Sequence, residues 1–117
     1  MTDTKTAVLE VVEAFGRAWA AHDLDAAIGY LTADCVFDST GPAPDGVRHV
    51  GPDAIRAAWK PIFDDAASRF DAEDTYALGD RVVQLWRYSW ADGHIRGVDV
   101  FLVRDGLVAE KLSYVKG

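Results

Sequence analysis

Apolar side chains recur every three or four positions along residues 5–21. Val8, Val12, Phe15 and Trp19, with Val11 and Ala18 beside them, form one stripe and predict a helix. Asp3 or Thr4 is placed to cap it. His22-Asp23 interrupts the pattern. His22 reads as a solvated turn residue, and Asp23 as the cap of a short second helix, Leu24 to Leu31, that turns Ala27, Ile28 and Leu31 to the core. Asp34-Cys35-Val36-Phe37-Asp38 then reads as a short strand, followed by a loop dense in turn formers, Ser39 to Gly46. Gly51-Pro52-Asp53 opens a third helix, because proline suits the first helical position and aspartate the positive end of the dipole. Ile55, Trp59, Ile62 and Ala66 carry its apolar stripe, which Pro61 is expected to kink or split.

Beyond Phe70 the period shortens to two. Phe70 to Leu78 predicts a strand, and residues 82–115 predict three more, folded by Asp92-Gly93 and Asp105-Gly106. Helices followed by a run of antiparallel strands make an α+β domain spanning residues 1–117, with three helices over one face of a curved sheet. If both Asp-Gly pairs are two-residue loops, Trp86 pairs with Asp99, Gln84 and Glu110 with Phe101, and Leu112 with Asp99. Gln84, Trp86, Tyr88, Asp99, Phe101, Glu110, Leu112 and Tyr114 would then share one face, with Gly97 leaving space between Tyr88 and Tyr114. Val83, Leu85, Arg87, Val98, Val100, Leu102, Lys111 and Ser113 would share the other. A one-residue error in register would undo these assignments.

That pattern isolates Asp99. An ionised carboxylate inside an aromatic wall is costly unless something there requires it, and Tyr88 or Gln84 is within reach to bond it. An apolar cavity with one or two aimed polar groups suits a small apolar molecule. The second face is also largely apolar, whereas an antiparallel sheet in a monomer usually turns a polar face to water, so a homodimer through that outer face is expected.

Composition narrows the function. The 117 residues carry a net charge of −7, which repels phosphate backbones and argues against nucleic-acid binding. No apolar run reaches membrane-spanning length, and the polar start lacks a signal-peptide core. The single Cys35 forms no internal disulfide, and no Cys/His cluster has zinc spacing. The expectation is a cytoplasmic protein without metal or cofactor, its Cys35 an inert buried thiol.

The helix ending in Ala20-Ala21-His22-Asp23-Leu24-Asp25-Ala26-Ala27 is followed by Asp34-Cys35-Val36-Phe37-Asp38, Gly51-Pro52-Asp53-Ala54-Ile55 and Gly97-Val98-Asp99-Val100-Phe101 before the Asp105-Gly106 turn. In order and spacing this resembles the nuclear transport factor 2-like superfamily, in its SnoaL-like branch. The resemblance implies a cone-shaped curved sheet wrapped by helices around a pocket, commonly dimeric through the sheet. Against ketosteroid isomerases of the superfamily, Asp99 falls at the proton-donating aspartate, which the apolar site keeps neutral in those enzymes. Phe15 replaces their oxyanion-hole tyrosine, and Ser39, one residue past Asp38, aligns with their general base. The Asp-Arg-Asp arrangement of the related epoxide hydrolases is matched poorly, since Arg96 and Asp99 fall on opposite faces. Polyketide-cyclase-like members use an aspartate as acid/base on a polarised carbonyl compound.

Asp99, Asp38 and His49 are therefore the candidate catalytic residues, with bland alternatives beside each: a structural acceptor, a loop cap and a surface imidazole. Phe15, Trp19, Trp59, Gln84, Trp86, Tyr88, Glu110, Leu112 and Tyr114 are the candidate pocket residues, the tryptophans being core residues first. The expected activity is isomerase-, cyclase- or hydratase-like acid/base chemistry on an apolar carbonyl compound; the alternative is a non-catalytic ligand-binding homodimer.

Overall fold

The computed structural model describes residues 4–116, the side chain of Thr4 excepted, so the cap expected from Asp3 or Thr4 lies outside the described residues. Helix α1, Thr4–Ala20, buries Val8, Val12, Phe15 and Ala18, as its stripe requires. Helix α2, Leu24–Gly29, is capped by Asp23, whose carboxylate accepts from the Ala26 amide at 3.1 Å. It stops short of Leu31. That residue instead begins strand β1, Leu31–Asp38, three residues before the expected start, because it pairs with Val108 across the sheet. A three-residue strand, β2 (Arg48–Val50), folds back on β1 out of the loop.

Helix α3, Pro52–Asp64, runs unbroken through Pro61. The proline lies in the last turn, where it removes one backbone bond near an end that frays in any case. The helix ends before Ala66, so that residue is not part of its stripe; Ile55, Trp59 and Phe63 are buried. Strands β3 (Arg69–Leu78), β4 (Arg81–Trp90), β5 (Gly93–Arg104) and β6 (Leu107–Val115) follow, in one six-stranded sheet ordered β2-β1-β6-β5-β4-β3. The β1–β6 pair is parallel and the other pairs are antiparallel. The architecture is α+β, and the sheet does not close into a barrel.

The core lies between the helices and the inner face of the sheet. Phe15 is at its centre, edge-on to Trp19, Tyr30 and Phe101 and 5.7 Å from Trp59 between ring centroids. His22 is not a solvated turn residue. Its two ring nitrogens meet the backbone carbonyls of Phe63 at 3.0 Å and Ser68 at 2.8 Å, tying the α1–α2 turn to the chain that leaves α3. A neutral ring can donate to only one of them.

Both hairpins depart from the expected register, with different consequences. The first loop is Ala91-Asp92 rather than Asp92-Gly93, so Trp90 pairs with Gly93, Trp86 with Gly97 and Gln84 with Asp99. This slides the partners by two residues and leaves every side chain on its expected face. The second turn is as expected, Arg104 opposite Leu107, until a bulge after Val108. From there Leu102 pairs with Glu110, Phe101 with Lys111 and Asp99 with Ser113. The one-residue shift exchanges the faces of the rest of β6.

Candidate functional site

The bulge decides what Asp99 meets. Glu110, Leu112 and Tyr114, expected in the pocket, turn to the outer face; Glu110 pairs there with Arg81 at 3.1 Å, and Tyr114 is exposed. Lys111 and Ser113, expected outside, turn inward beside Asp99. Ala109, between Val108 opposite Val103 and Glu110 opposite Leu102, is the extra residue, and it and Val108 are both buried. The adjacent apolar residues Leu107-Val108-Ala109, followed by the adjacent charged residues Glu110-Lys111, break the alternation and are the sequence signal of this bulge. Charge is a second signal, because the expected register brings Glu110 near Asp99, whereas the shifted one brings a cation.

Asp99 is 2% exposed and Lys111 7%. Lys111 Nζ lies 3.1 Å from Asp99 Oδ2 and donates to Ser113 Oγ at 2.9 Å. The ammonium also lies 4.9 Å from the centroid of Phe37, 5.1 Å from Trp19 and 5.9 Å from Trp59. Neither Tyr88 nor Gln84 is the bonding partner of Asp99: Gln84 stands opposite it in the strand but donates to Thr75 Oγ1 at 3.3 Å. Asp99 Oδ1 is buried and has no hydrogen-bond partner among the described residues. The indole N–H groups of Trp19 and Trp86 are in the same condition.

These groups border a cavity of about 450 Å³. Gln84, Trp86 and Tyr88 from β4, Asp99 and Phe101 from β5, and Lys111 and Ser113 from β6 form one wall. Phe15, Gly16 and Trp19 of α1 and Ala58 and Ile62 of α3 form another, and Ser39, Thr40 and Gly41 border the opening loop. Trp59 is wholly buried behind the wall and not on the cavity, while Ile95 and Phe70 line it without having been singled out in the sequence. Gly97 leaves no open space above the sheet. The Trp86 ring occupies it, at about 2.5 Å from where a Cβ would stand.

The other two catalytic candidates separate. His49 lines the cavity from β2, stacked on Phe37 with centroids 5.6 Å apart. Asp38 does not line it. Its carboxylate is gripped by Arg48, opposite it on β2, through bonds of 2.7 and 2.8 Å, and that guanidinium holds the carboxyl below its ordinary range. Ser39, the next residue, is the one that reaches the cavity. On the neighbouring stretch of β1 the Asp34 carboxyl is also lowered, by the Thr32 hydroxyl and then by Arg104. The Cys35 thiol is pushed up to about 12 by burial. Among the described residues no three His, Cys, Asp or Glu side chains gather where they could hold a metal ion, and no helix is long and apolar enough to cross a membrane.

A family model described as the SnoaL-like domain matches residues 12–111. The chain belongs to the SnoaL-like family, within the nuclear transport factor 2-like superfamily. A nuclear transport factor 2-like protein of unknown function from Mesorhizobium loti is 38% identical over the whole chain and 97% of its own, with a TM-score of 0.90. A protein from Kribbella flavida, provisionally assigned as a ketosteroid isomerase, shares the fold at 12% identity and TM-score 0.83, over 97% of this SnoaL-like chain and 80% of its own. A provisionally assigned polyketide cyclase from Xanthomonas campestris pv. campestris does so at 22% identity and TM-score 0.76, over 97% and 93%. No curated protein sequence matches.

Proposed function

We propose that this SnoaL-like protein is a small-molecule enzyme carrying out isomerase-, cyclase- or hydratase-like acid/base chemistry on an apolar, carbonyl-containing substrate, with Asp99 as the acid/base. The observation that carries the reading is the Asp99–Lys111 pair, a buried charge pair on the wall of an aromatic cavity. An ion pair is a poor stabiliser in such a place, since desolvation offsets most of the attraction, and two apolar residues would hold the wall as well. Its geometry suits proton transfer. Lys111 holds Oδ2, which leaves Oδ1, without a partner among the described residues, to take a proton from a substrate carbon and return it. Tyr88, the Trp86 indole and the His49 imidazole line the same cavity. The family's structural neighbours include proteins provisionally assigned to ketosteroid isomerisation and polyketide cyclisation, and both reactions turn on a polarised carbonyl.

The test is deuterium exchange at the carbon next to the carbonyl of 2-tetralone, an apolar cyclic ketone, followed by NMR in D2O. The wild-type protein is expected to accelerate exchange, and Asp99→Asn to lower the rate by about 10²- to 10⁴-fold. Saturable quenching of tryptophan fluorescence by the ketone, with no exchange above buffer, would establish a ligand-binding protein in place of an enzyme.

A homodimer through the outer face of the sheet belongs to the same proposal. Val83, Val98, Val100, Leu102 and Leu112 are only half-buried there, and Leu85 and Tyr114 are exposed.

A further inference from the structure

We propose that Lys111 is an amine nucleophile that holds a small apolar ketone or aldehyde in the cavity as a covalent iminium. The inference rests on the reading of the cavity as a carbonyl site and assigns Lys111 a part in it that the acid/base proposal does not need.

The surroundings of Lys111 Nζ are built for a cation that need not be an ammonium. Asp99 Oδ2 at 3.1 Å supplies the counter-charge. The faces of Phe37, Trp19 and Trp59, at 4.9 to 5.9 Å, supply quadrupole attraction, which depends on the charge and not on the number of N–H bonds. An iminium carries the same single positive charge at the same atom, so the ion pair survives the reaction. It also replaces a strongly hydrated head group with a more apolar one, and in a dry aromatic site that change is favourable. Lys111 is one of the residues that line the cavity, and the proposal places the carbonyl carbon against its Nζ. Amines that attack carbonyls in proteins are desolvated in such apolar pockets.

The protons have an assigned carrier. Lys111 passes one proton to Asp99, and the freed lone pair on Nζ forms a bond to the carbonyl carbon. The carbonyl π pair moves to oxygen, which takes the proton back from Asp99 and gives a carbinolamine. Asp99 removes the second nitrogen proton and delivers it to the hydroxyl. The nitrogen lone pair forms C=N as the C–O bond breaks and water leaves. The sum is an ammonium and a carbonyl going to an iminium and water, with Asp99 returned as carboxylate. The iminium then withdraws electrons from the neighbouring carbon, whose proton Asp99 can take.

Reductive trapping tests this. The protein is incubated with 2-tetralone and sodium cyanoborohydride, which reduces iminium ions in preference to ketones, and modified lysines are located by peptide mass spectrometry. Lys60 is exposed and serves as the internal reference for unassisted reaction. Lys111 is expected to be modified at least about tenfold faster than Lys60 despite its burial, because the cavity holds the ketone beside it. Lys111→Arg, which keeps the cation, is expected to remove that fast adduct and to leave the slow modification of Lys60 unchanged. Asp99→Asn is expected to slow trapping at Lys111 about tenfold or more. Modification of Lys111 no faster than Lys60 overturns the inference. If exchange of the 2-tetralone α-protons persists under those conditions, the acid/base reading stands without the covalent step. Trapping without exchange keeps the iminium and removes the acid/base reading, and the absence of both removes both.

Discussion

A carboxylate and an ammonium that bury each other are two liabilities that cancel only together. Removing the ammonium by Lys111→Met leaves Asp99 an unpaired buried charge, and a loss of about 3–5 kcal/mol in urea-denaturation stability is expected. Adding Asp99→Asn to that variant is expected to restore most of the loss. If the double variant is no more stable than the single one, the pair is not the source of the penalty. Cys35 offers a check on burial at the same scale. Its thiol, wholly buried and pushed up to about 12, is expected to resist iodoacetamide at pH 8 in the native protein and to react once urea unfolds it. The sign of the linked stability follows. The unfolded thiol ionises near its ordinary 9.0 while the folded one keeps its proton, so this group's contribution is intact below pH 9 and is lost as pH rises from there toward 12. A Cys35→Ala variant should lack that alkaline component.

Strands β4, β5 and β6 act as one device, and Gly97 shows how tightly they are set. A Cβ there would stand 2.4 Å from the Tyr114 carbonyl oxygen and 2.5 Å from the Trp86 ring. Backbone cannot yield as a side chain does, so Gly97→Ala is expected to cost about 1–3 kcal/mol in thermal or chemical denaturation and to displace Trp86, visible as a change in tryptophan emission. Element types were legible in the sequence because periodicity reports burial: the α1 stripe, the Asp23 cap and the alternation of β4 and β5 all appear in the structure. Strand β2 was hidden because Arg48–Val50 is short and largely polar, with only its pairing to β1 to define it. Asp99 stood out as a carboxylate in an apolar strand, while its partner did not. The extra residue in β6 is set by how that strand meets β1 and β5 together, which turn chemistry alone does not encode. Misplacing it kept the anion and exchanged its companion, Lys111 for Glu110.

At the scale of the whole molecule the sheet has two apolar faces and the helices cover one of them. A second copy on the other is the proposed remedy. Leu85, exposed on the outer face of β4, is the point to perturb. Leu85→Glu is expected to convert a dimer to a monomer at micromolar concentration by light scattering while leaving the Asp99 face and its ligand binding unchanged. A wild-type protein that already scatters as a monomer would remove the dimer from the proposal. The bulge after Val108 also bears on how such a scaffold changes over time. Because that one irregularity selects which half of β6 looks inward, a single-codon insertion there that kept a one-residue bulge would exchange the pocket's polar equipment with the outer surface in one step, whereas deletion of Ala109 would leave Lys111 opposite Phe101. After the insertion, Lys111 and Ser113 would become surface residues, and Glu110 and Leu112 pocket residues. Point substitutions at the cavity alter a site gradually; such an insertion in this strand would replace its chemistry and its outer surface at once.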